Sequence, residues 1–357
     1  MRIPATAHAR QRQWQSLALL CRLGVGIAPI AADVSALLRG LVGADATALF
    51  WLDEQGRPAG FHHDDSPPAV KNLFLNEFER LFVGERELNI VALAQRQGPR
   101  VGRMMAPGAD HFRSNTYNLL IRPNGHHHTL DMRVEVPGPG GPVTRAVVAL
   151  FRAPGTGFGA AEAELLERAG RVLALAFAPA GQGAAGGMRS SGTSGHVLVD
   201  AANLKPLSAD AAAVQLLQEA HIPGLGLYGA NATALPPDLF RHLGMQPGQS
   251  KHLPVPKGVL HVHTHPLRHC NARDAGHWLL TLQLRHPCQI DMMRRVLALP
   301  LTPMQREIAA LAGLGHPRSD CARHTGVGAA ALKKHLNAIL DVVGASDWDG
   351  LAQALRT

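Results

Sequence analysis

Histidines are the residues of this sequence whose spacing most directly suggests chemistry, and the chain has 20 of them. His261, His263 and His265 alternate in an apparent strand, which places their imidazoles on one face. Such a face could ligate zinc, copper or nickel, and Cys270 just beyond it would suit a soft metal. The alternative is an exposed polar face opposite Val262, and we favour it because no acidic residue is evident to orient the rings. We therefore predict no cofactor and no metal site, with the three histidines as the only candidates.

Adjacent cations near the C-terminus suggest a different chemistry. Residues 317–327 predict a short helix ended by Gly326, and residues 328–344 predict a longer one. Two helices with a tight glycine-containing turn between them, the second carrying Lys, Lys and His at 333–335, describe a DNA-binding helix-turn-helix. The formal charge of +8 also favours a polyanionic partner.

Residues 298–357 resemble the LuxR-type DNA-binding domain. The segment opens with LTP at 301–303, and Gln305 follows Thr302 at the spacing of a capping box. The residues that keep the family pattern are Leu301, Thr302, Pro303, Arg306, Glu307, Ala322, Lys333, His335, Asn337, Ile339 and Gly344.

The resemblance implies an all-α domain of four helices whose helix at 329–342 enters the major groove of DNA. It also implies bonding of Glu307 within the four-helix core. The residues expected at or near the DNA are Lys333, Lys334, Asn337, His335, Arg318 and Ala331. The residues expected to be buried are Val327, Leu332, Leu336 and Ile339, and Cys321 is expected to be an inert core residue.

Several positions depart from the family pattern and remove contacts to DNA. Ala331 replaces a usual Thr, Gly328 a usual Ser cap, and Ser319 and Asp341 each replace a usual Lys. Residues 300–357 carry six Lys and Arg against five Asp and Glu, a net charge of only +1. We therefore expect weak DNA binding unless the protein is a dimer or a ligand favours the binding state.

The region before the C-terminal domain predicts two α+β domains with antiparallel sheets. Residues 11–177 resemble a GAF-like sensor domain in the order of their elements: helix, strands at 45–52, 128–136 and 143–151, and a final helix. The strand at 128–136 alternates like a half-buried strand, and residues 69–96 are expected to be helical. The small residues of 178–195 indicate a flexible linker.

Residues 196–290 resemble a PAS-like domain. Asp200 and Asn203 supply a turn after the first strand, a helix begins near Ser208, and segments 258–269 and 277–284 form a closing strand pair. The apolar residues 17–32 resemble a signal peptide, but Arg22 interrupts them, and we expect a core-facing helix and no membrane partner.

Other function classes lack their motifs. The sequence has no Walker loop, GxSxG, HExxH or GxGxxG after a strand, so we expect no enzyme. Four cysteines without a CxxC fit a reducing cytoplasm.

The sequence therefore predicts a cytoplasmic, homodimeric transcription regulator. We expect it to bind double-stranded promoter DNA, with a possible small-molecule effector. Two alternatives remain open: a metal- or haem-responsive regulator using the histidine cluster, and a regulator whose C-terminal helices contact only protein.

Overall fold

The computed structural model describes residues 7–53, 55–56, 58–63, 68–95, 98–178, 187–220, 222, 225, 235–255, 258–268 and 276–357. The chain divides into two compact units. One comprises Met1–Gly26, Val172–Arg189 and His286–Thr357, and the other comprises Ile27–Arg171 and Ser190–Arg285.

The second of these units contains a four-stranded antiparallel sheet. Its strands are β1 (Ala46–Leu52), β2 (Pro58–His63), β3 (His128–Val136) and β4 (Val143–Arg152), in the order β2-β1-β4-β3. The helices of this region are α2 (Ala31–Val42), α3 (Pro68–Asn76), α4 (Phe78–Leu81), α5 (Ile90–Ala94) and α6 (Ala160–Leu173). The three predicted strands are confirmed, whereas the predicted helical segment 69–96 forms three short helices.

Strand β3 is buried on both faces, so the prediction of a half-buried strand is wrong. Leu130 and Val134 are fully buried on one face, and Asp131 and Arg133 are at most 6% exposed on the other. Alternation of apolar and polar residues normally indicates a strand with one solvent-exposed face. Here hydrogen bonds compensate the polar face: Met104 N donates to Asp131 and the Arg133 guanidinium donates to loop carbonyls.

The guanidinium of Arg152, at the end of β4, joins the sheet to both of its neighbouring helical segments. It donates to the carbonyls of Val42 and Gly43, where α2 ends, and to the carbonyl of Gly157 in the loop before α6. It also pairs with Glu162 at 3.3 Å. The planar fork of an Arg can serve several acceptors at once, which the single ammonium of a Lys cannot reproduce.

A five-stranded antiparallel sheet follows in the same unit. Its strands are β5 (Met188–Asp200), β6 (Pro206–Ala209), β7 (Ser250–Val255), β8 (Gly258–Leu267) and β9 (His277–Pro287), in the order β6-β5-β9-β8-β7. Two helices, α7 (Ala211–Glu219) and α8 (Leu239–Leu243), belong to this region. The predicted strand pair is confirmed, and the helix expected near Ser208 begins at Ala211 because the Asp210 side chain caps it.

Part of the predicted linker is a strand. Residues 188–195 lie in β5, and residues 179–186 of the linker lie outside the described residues. The side chains of 188–193 are exposed, so this stretch has no apolar pattern to mark it as a strand. Strand pairing depends on backbone groups, which every residue carries except for the N–H of proline.

The other unit is helical. It contains α1 (Ala7–Cys21), α9 (Cys288–Ala298), α10 (Pro303–Leu314), α11 (Arg318–Thr325), α12 (Ala329–Val343) and α13 (Trp348–Arg356). Helix α1 packs on α9 and α10, with Leu17 and Leu20 buried, and Gln15 Nε2 donates to Pro303 O at 2.5 Å. The predicted core-facing helix is confirmed. The sequence instead predicted that residues from 11 onward belong to the first sensor domain. It could not do better, because an amphipathic pattern does not specify which hydrophobic core the helix packs against.

We predict that Arg152→Ala lowers the free energy of unfolding by about 2–4 kcal/mol, because it leaves partly buried carbonyls without donors. Urea unfolding measures this change. Arg100→Ala is the matched control: Arg100 makes an exposed ion pair with Glu167, and its loss should cost less than about 1 kcal/mol. Equal losses in the two variants would contradict the role assigned to Arg152.

Candidate functional site

Helix α12 has one buried face and one exposed face. Leu332, Leu336 and Ile339 are at most 5% exposed, as the sequence predicts. Lys333 and Lys334 are exposed, and neither makes an ion pair with any residue that the structure describes. These two ammonium groups are therefore available to an external anion.

The other residues predicted at this surface have different exposures. Asn337, Ala331 and Arg318 are exposed, whereas His335 is half-buried. The expectation that Val327 is buried is wrong, since it is only half-buried in the short connection before α12. Asp341 is exposed on the same helix and reduces its positive charge.

Capping and turn residues fix the positions of α10, α11 and α12. The predicted capping box is present: Gln305 N donates to Thr302 Oγ1 at 3.4 Å, and Thr302 N donates to Gln305 Oε1 at 2.8 Å. Gly326 ends α11 with a φ of +69°, a left-handed conformation that favours glycine. Residues 326–328 alone connect α11 to α12.

Glu307 has a partner outside the four C-terminal helices. Its Oε1 accepts a hydrogen bond of 2.6 Å from Arg22, directly after α1, so the expectation that it bonds within the four-helix core is wrong. The sequence pattern could not show this because 285 positions separate the two residues. The pair is partly exposed and adds little stability, but it joins the residue that follows α1 to α10.

The described cysteines differ in burial. Cys21 and Cys321 are fully buried, whereas Cys288 is half-buried. Burial raises the pKa of Cys21 to about 12, and burial together with the Asp320 charge raises the pKa of Cys321 to about 11. Since the thiolate is the reactive form, both buried thiols should be inert.

The alternating histidines lie on the polar face of β8. Val262 and Thr264 point into the core, at 0% and 2% exposure, whereas His265 is exposed. The ring of His261 lies 4.2 Å from that of His252. Burial, and then electrostatic interaction with His252, Arg285 and His263, lower the pKa of His261.

No group of three or more His, Cys, Asp or Glu within the described ranges is placed to hold a metal ion. His269 and Cys270 lie outside those ranges.

An apolar cavity of about 70 Å³ lies on the face of the β1–β4 sheet away from α2. Ala48 of β1 and Ala149 of β4 pair directly across the two strands and both line it. Residues opposite each other in an antiparallel pair point to the same face, so two methyl groups leave open a space that larger side chains would fill. The phenyl rings that surround this space are those of Phe50, Phe61, Phe74 and Phe151.

The opposite wall of the cavity is a short helical segment, Thr116–Ile121, followed by Asn124. The Glu87 carboxylate accepts hydrogen bonds from the backbone N–H groups of Asn115 and Thr116 and from the Thr116 hydroxyl, at 2.6–2.9 Å. A carboxylate at a helix N-terminus satisfies donors that have no partner within the helix. The wall is therefore held in place from its first turn.

Sequence reasoning missed this cavity. Five of the ten phenylalanines lie within residues 50–82, which was an available indication of an aromatic cluster. The two alanines gave no such indication, because only the strand register brings them together.

Asp131 supports the loop that contributes Met104 to the cavity wall. Its Oδ1 accepts a 2.6 Å hydrogen bond from Met104 N. Burial raises the pKa of Asp131 to about 6, although hydrogen bonds and the charges of Arg103 and Arg133 act in the opposite direction.

Comparison with known proteins gives few matches. No family model matches the chain, and no curated protein matches it significantly. Among solved structures, the sensor region of a sensor histidine kinase aligns with 73% of this chain and 86% of that chain, at 14% sequence identity and a TM-score of 0.16. Similarity at this level carries no argument about fold or function. Within the described residues, no helix is both long and apolar enough to cross a membrane.

We predict that the Asp131 carboxyl makes the protein less stable as pH rises from about 4 to about 6. The folded state holds this proton more tightly than the unfolded state, so the contribution is complete below pH 4 and lost through the folded pKa. The shift corresponds to about 3 kcal/mol. Unfolding free energies of the native protein and Asp131→Asn, which keeps the acceptor for Met104, measure it. Parallel pH profiles would contradict the prediction.

We predict that iodoacetamide at pH 7.5 labels Cys288 in the folded protein and leaves Cys21 and Cys321 unmodified. Peptide mass spectrometry distinguishes the sites, and guanidinium-unfolded protein, in which all three react, is the control. Labelling of Cys321 as fast as Cys288 would show an accessible thiol and favour redox sensitivity.

Proposed function

We propose that this chain is a DNA-binding transcription regulator of the LuxR type, and that α12 is the helix that enters the major groove. The observation that carries the proposal is the two-sided character of α12. Leu332, Leu336 and Ile339 anchor one side in the core, while Lys333 and Lys334 on the exposed side are free of intramolecular ion pairs with the described residues. A rigidly held helix with unpaired cations can place them against phosphates at a defined register.

The connection between α11 and α12 supports this proposal. Three residues link the helices, and Cys321 of α11 is buried in the same helical unit as Leu332 and Leu336 of α12. A short turn between two packed helices is the arrangement in which the second helix reads the major groove. Asn337, one turn beyond Lys333, is exposed and can reach a base edge.

The charge of the C-terminal segment favours a dimer. Residues 300–357 have a net charge of only +1, so one copy has few cations to neutralise phosphates. Two copies double that number, and their half-sites would lie about one helical turn of DNA apart. We therefore propose a homodimer in the cytoplasm, and sedimentation measures its oligomeric state.

The two sheet regions are proposed as sensor domains, GAF-like and PAS-like, that modulate DNA binding without catalysing a reaction. The apolar cavity beside β1 and β4 supports an input by a small molecule, because concave, mostly apolar sites with a few polar groups are where such ligands usually bind.

We predict that Lys333→Ala/Lys334→Ala weakens specific DNA binding on the order of tenfold or more at 0.15 M salt. It should also reduce the slope of log K against log salt by about 2, because two phosphate contacts are lost. Genome-wide binding mapping of the intact protein supplies the target site, and fluorescence anisotropy on that site measures affinity and slope.

The control for this prediction is Arg294→Ala, which removes an exposed cation from α9 in the same unit. It should leave the slope unchanged. If the double lysine variant binds the mapped site as tightly as the native protein, α12 is not the DNA-reading helix, and contact with another protein becomes the better interpretation of its exposed face.

A further inference from the structure

The cavity beside the four-stranded sheet has the properties of a site for a neutral ring. Its described lining residues carry no carboxylate, ammonium or guanidinium group, and the imidazole of His63 is the one titratable side chain among them. Transfer of a charged molecule into such a space would forfeit its hydration without an ion pair in return. A neutral, largely apolar ligand avoids that cost. Because the volume of about 70 Å³ is about half of the roughly 150 Å³ of an apolar cavity that binds benzene, the ligand can be no larger than one small ring.

The phenyl groups at the cavity favour an aromatic ring in particular. Phe50, Phe61 and Phe74 contact one another, with ring centroids 5.0–5.9 Å apart, and Phe151 lines the same cavity. Aromatic rings at such distances attract each other through edge-to-face and offset arrangements. A further ring between them would extend the cluster.

The polar side chains that line the cavity are His63, Asn89, Thr116 and Asn124, and of these only Asn124 has a buried polar atom without a partner among the described residues. The Nδ2 atom of Asn124 donates to the carbonyl of Leu120 at 2.8 Å, which fixes the orientation of the amide. The Oδ1 atom is buried and has no hydrogen-bond partner among the residues that the structure describes. A buried acceptor without a donor costs free energy, which a ligand carrying a donor can recover.

We propose that this cavity binds a neutral single-ring aromatic molecule with one O–H or N–H donor, and that the donor bonds Asn124 Oδ1. The proposal deepens the ligand-sensing part of the proposed function by naming the ligand class. It does not depend on DNA binding, because the cavity is formed within one sheet region.

Two probes of similar shape test the donor requirement: 4-fluorophenol, which has an O–H group, and 4-fluorotoluene, which has a methyl group instead. Fluorine NMR titration of the full chain gives both dissociation constants. In Asn124→Leu, we expect the preference for the phenol over the toluene to fall about tenfold. The preference is the ratio of the two dissociation constants. Comparing this ratio between variants cancels the difference in hydration of the two free probes, because that difference is the same in every titration.

Two further variants complete the test. Asn118 makes the same type of bond, from Nδ2 to the carbonyl four residues back, and does not line the cavity, so Asn118→Leu should leave the preference within twofold. Ala149→Phe should fill the cavity and abolish binding of both probes. Circular dichroism checks folding, and Ala48→Val replaces Ala149→Phe if that variant does not fold.

The proposal is overturned if neither probe binds the native chain, if Asn124→Leu keeps the native preference, or if the cavity-filling variant binds as before. Binding of 4-fluorophenol by a chain that recognises no DNA site would leave this proposal standing and overturn the proposed function.

Discussion

The hydrogen bonds of the Arg152 guanidinium fix the arrangement on which the first sheet region depends. A single side chain at the end of β4 holds the last turn of α2 and the loop that leads into α6. Both helices are thereby tied to one end of the sheet, and Gly170 of α6 approaches Met132 so closely that a Cβ there would lie 2.5 Å from the sulfur. The short helices and loops that line the cavity cover the opposite face of the sheet.

Local sequence patterns predicted the elements of this protein better than their partners. The strand segments of β1 and β4, the apolar face of α12 and the capping box at Thr302 are properties of neighbouring residues, and the structure confirms them. The packing of α1 against α9 and α10 and the pairing of Arg22 with Glu307 join residues nearly the whole chain apart. No local pattern contains that information.

The two candidate sites differ in the same way. The exposed cations of α12 could be predicted because a helix face follows from spacing alone, and their proposed role came from a family resemblance. The cavity could not be predicted, because it depends on the register that pairs Ala48 with Ala149 and on a wall positioned by the carboxylate of Glu87. Small side chains indicate a cavity only when the residues packed opposite them are known.

The place of α1 in the helical unit has a consequence during protein synthesis. Leu17 and Leu20 are buried in a unit whose helices α9 to α13 begin only at Cys288, so most of the chain must be synthesised before those helices exist. At about 5–20 residues per second, the interval is on the order of tens of seconds. During that time the surface of α1 that packs on α9 and α10 has no native partner, although the short helix Ala174–Phe177 can contact α1 as soon as it is synthesised. The helical unit that contains α12 is thus completed late in synthesis, although α1 is synthesised long before α9.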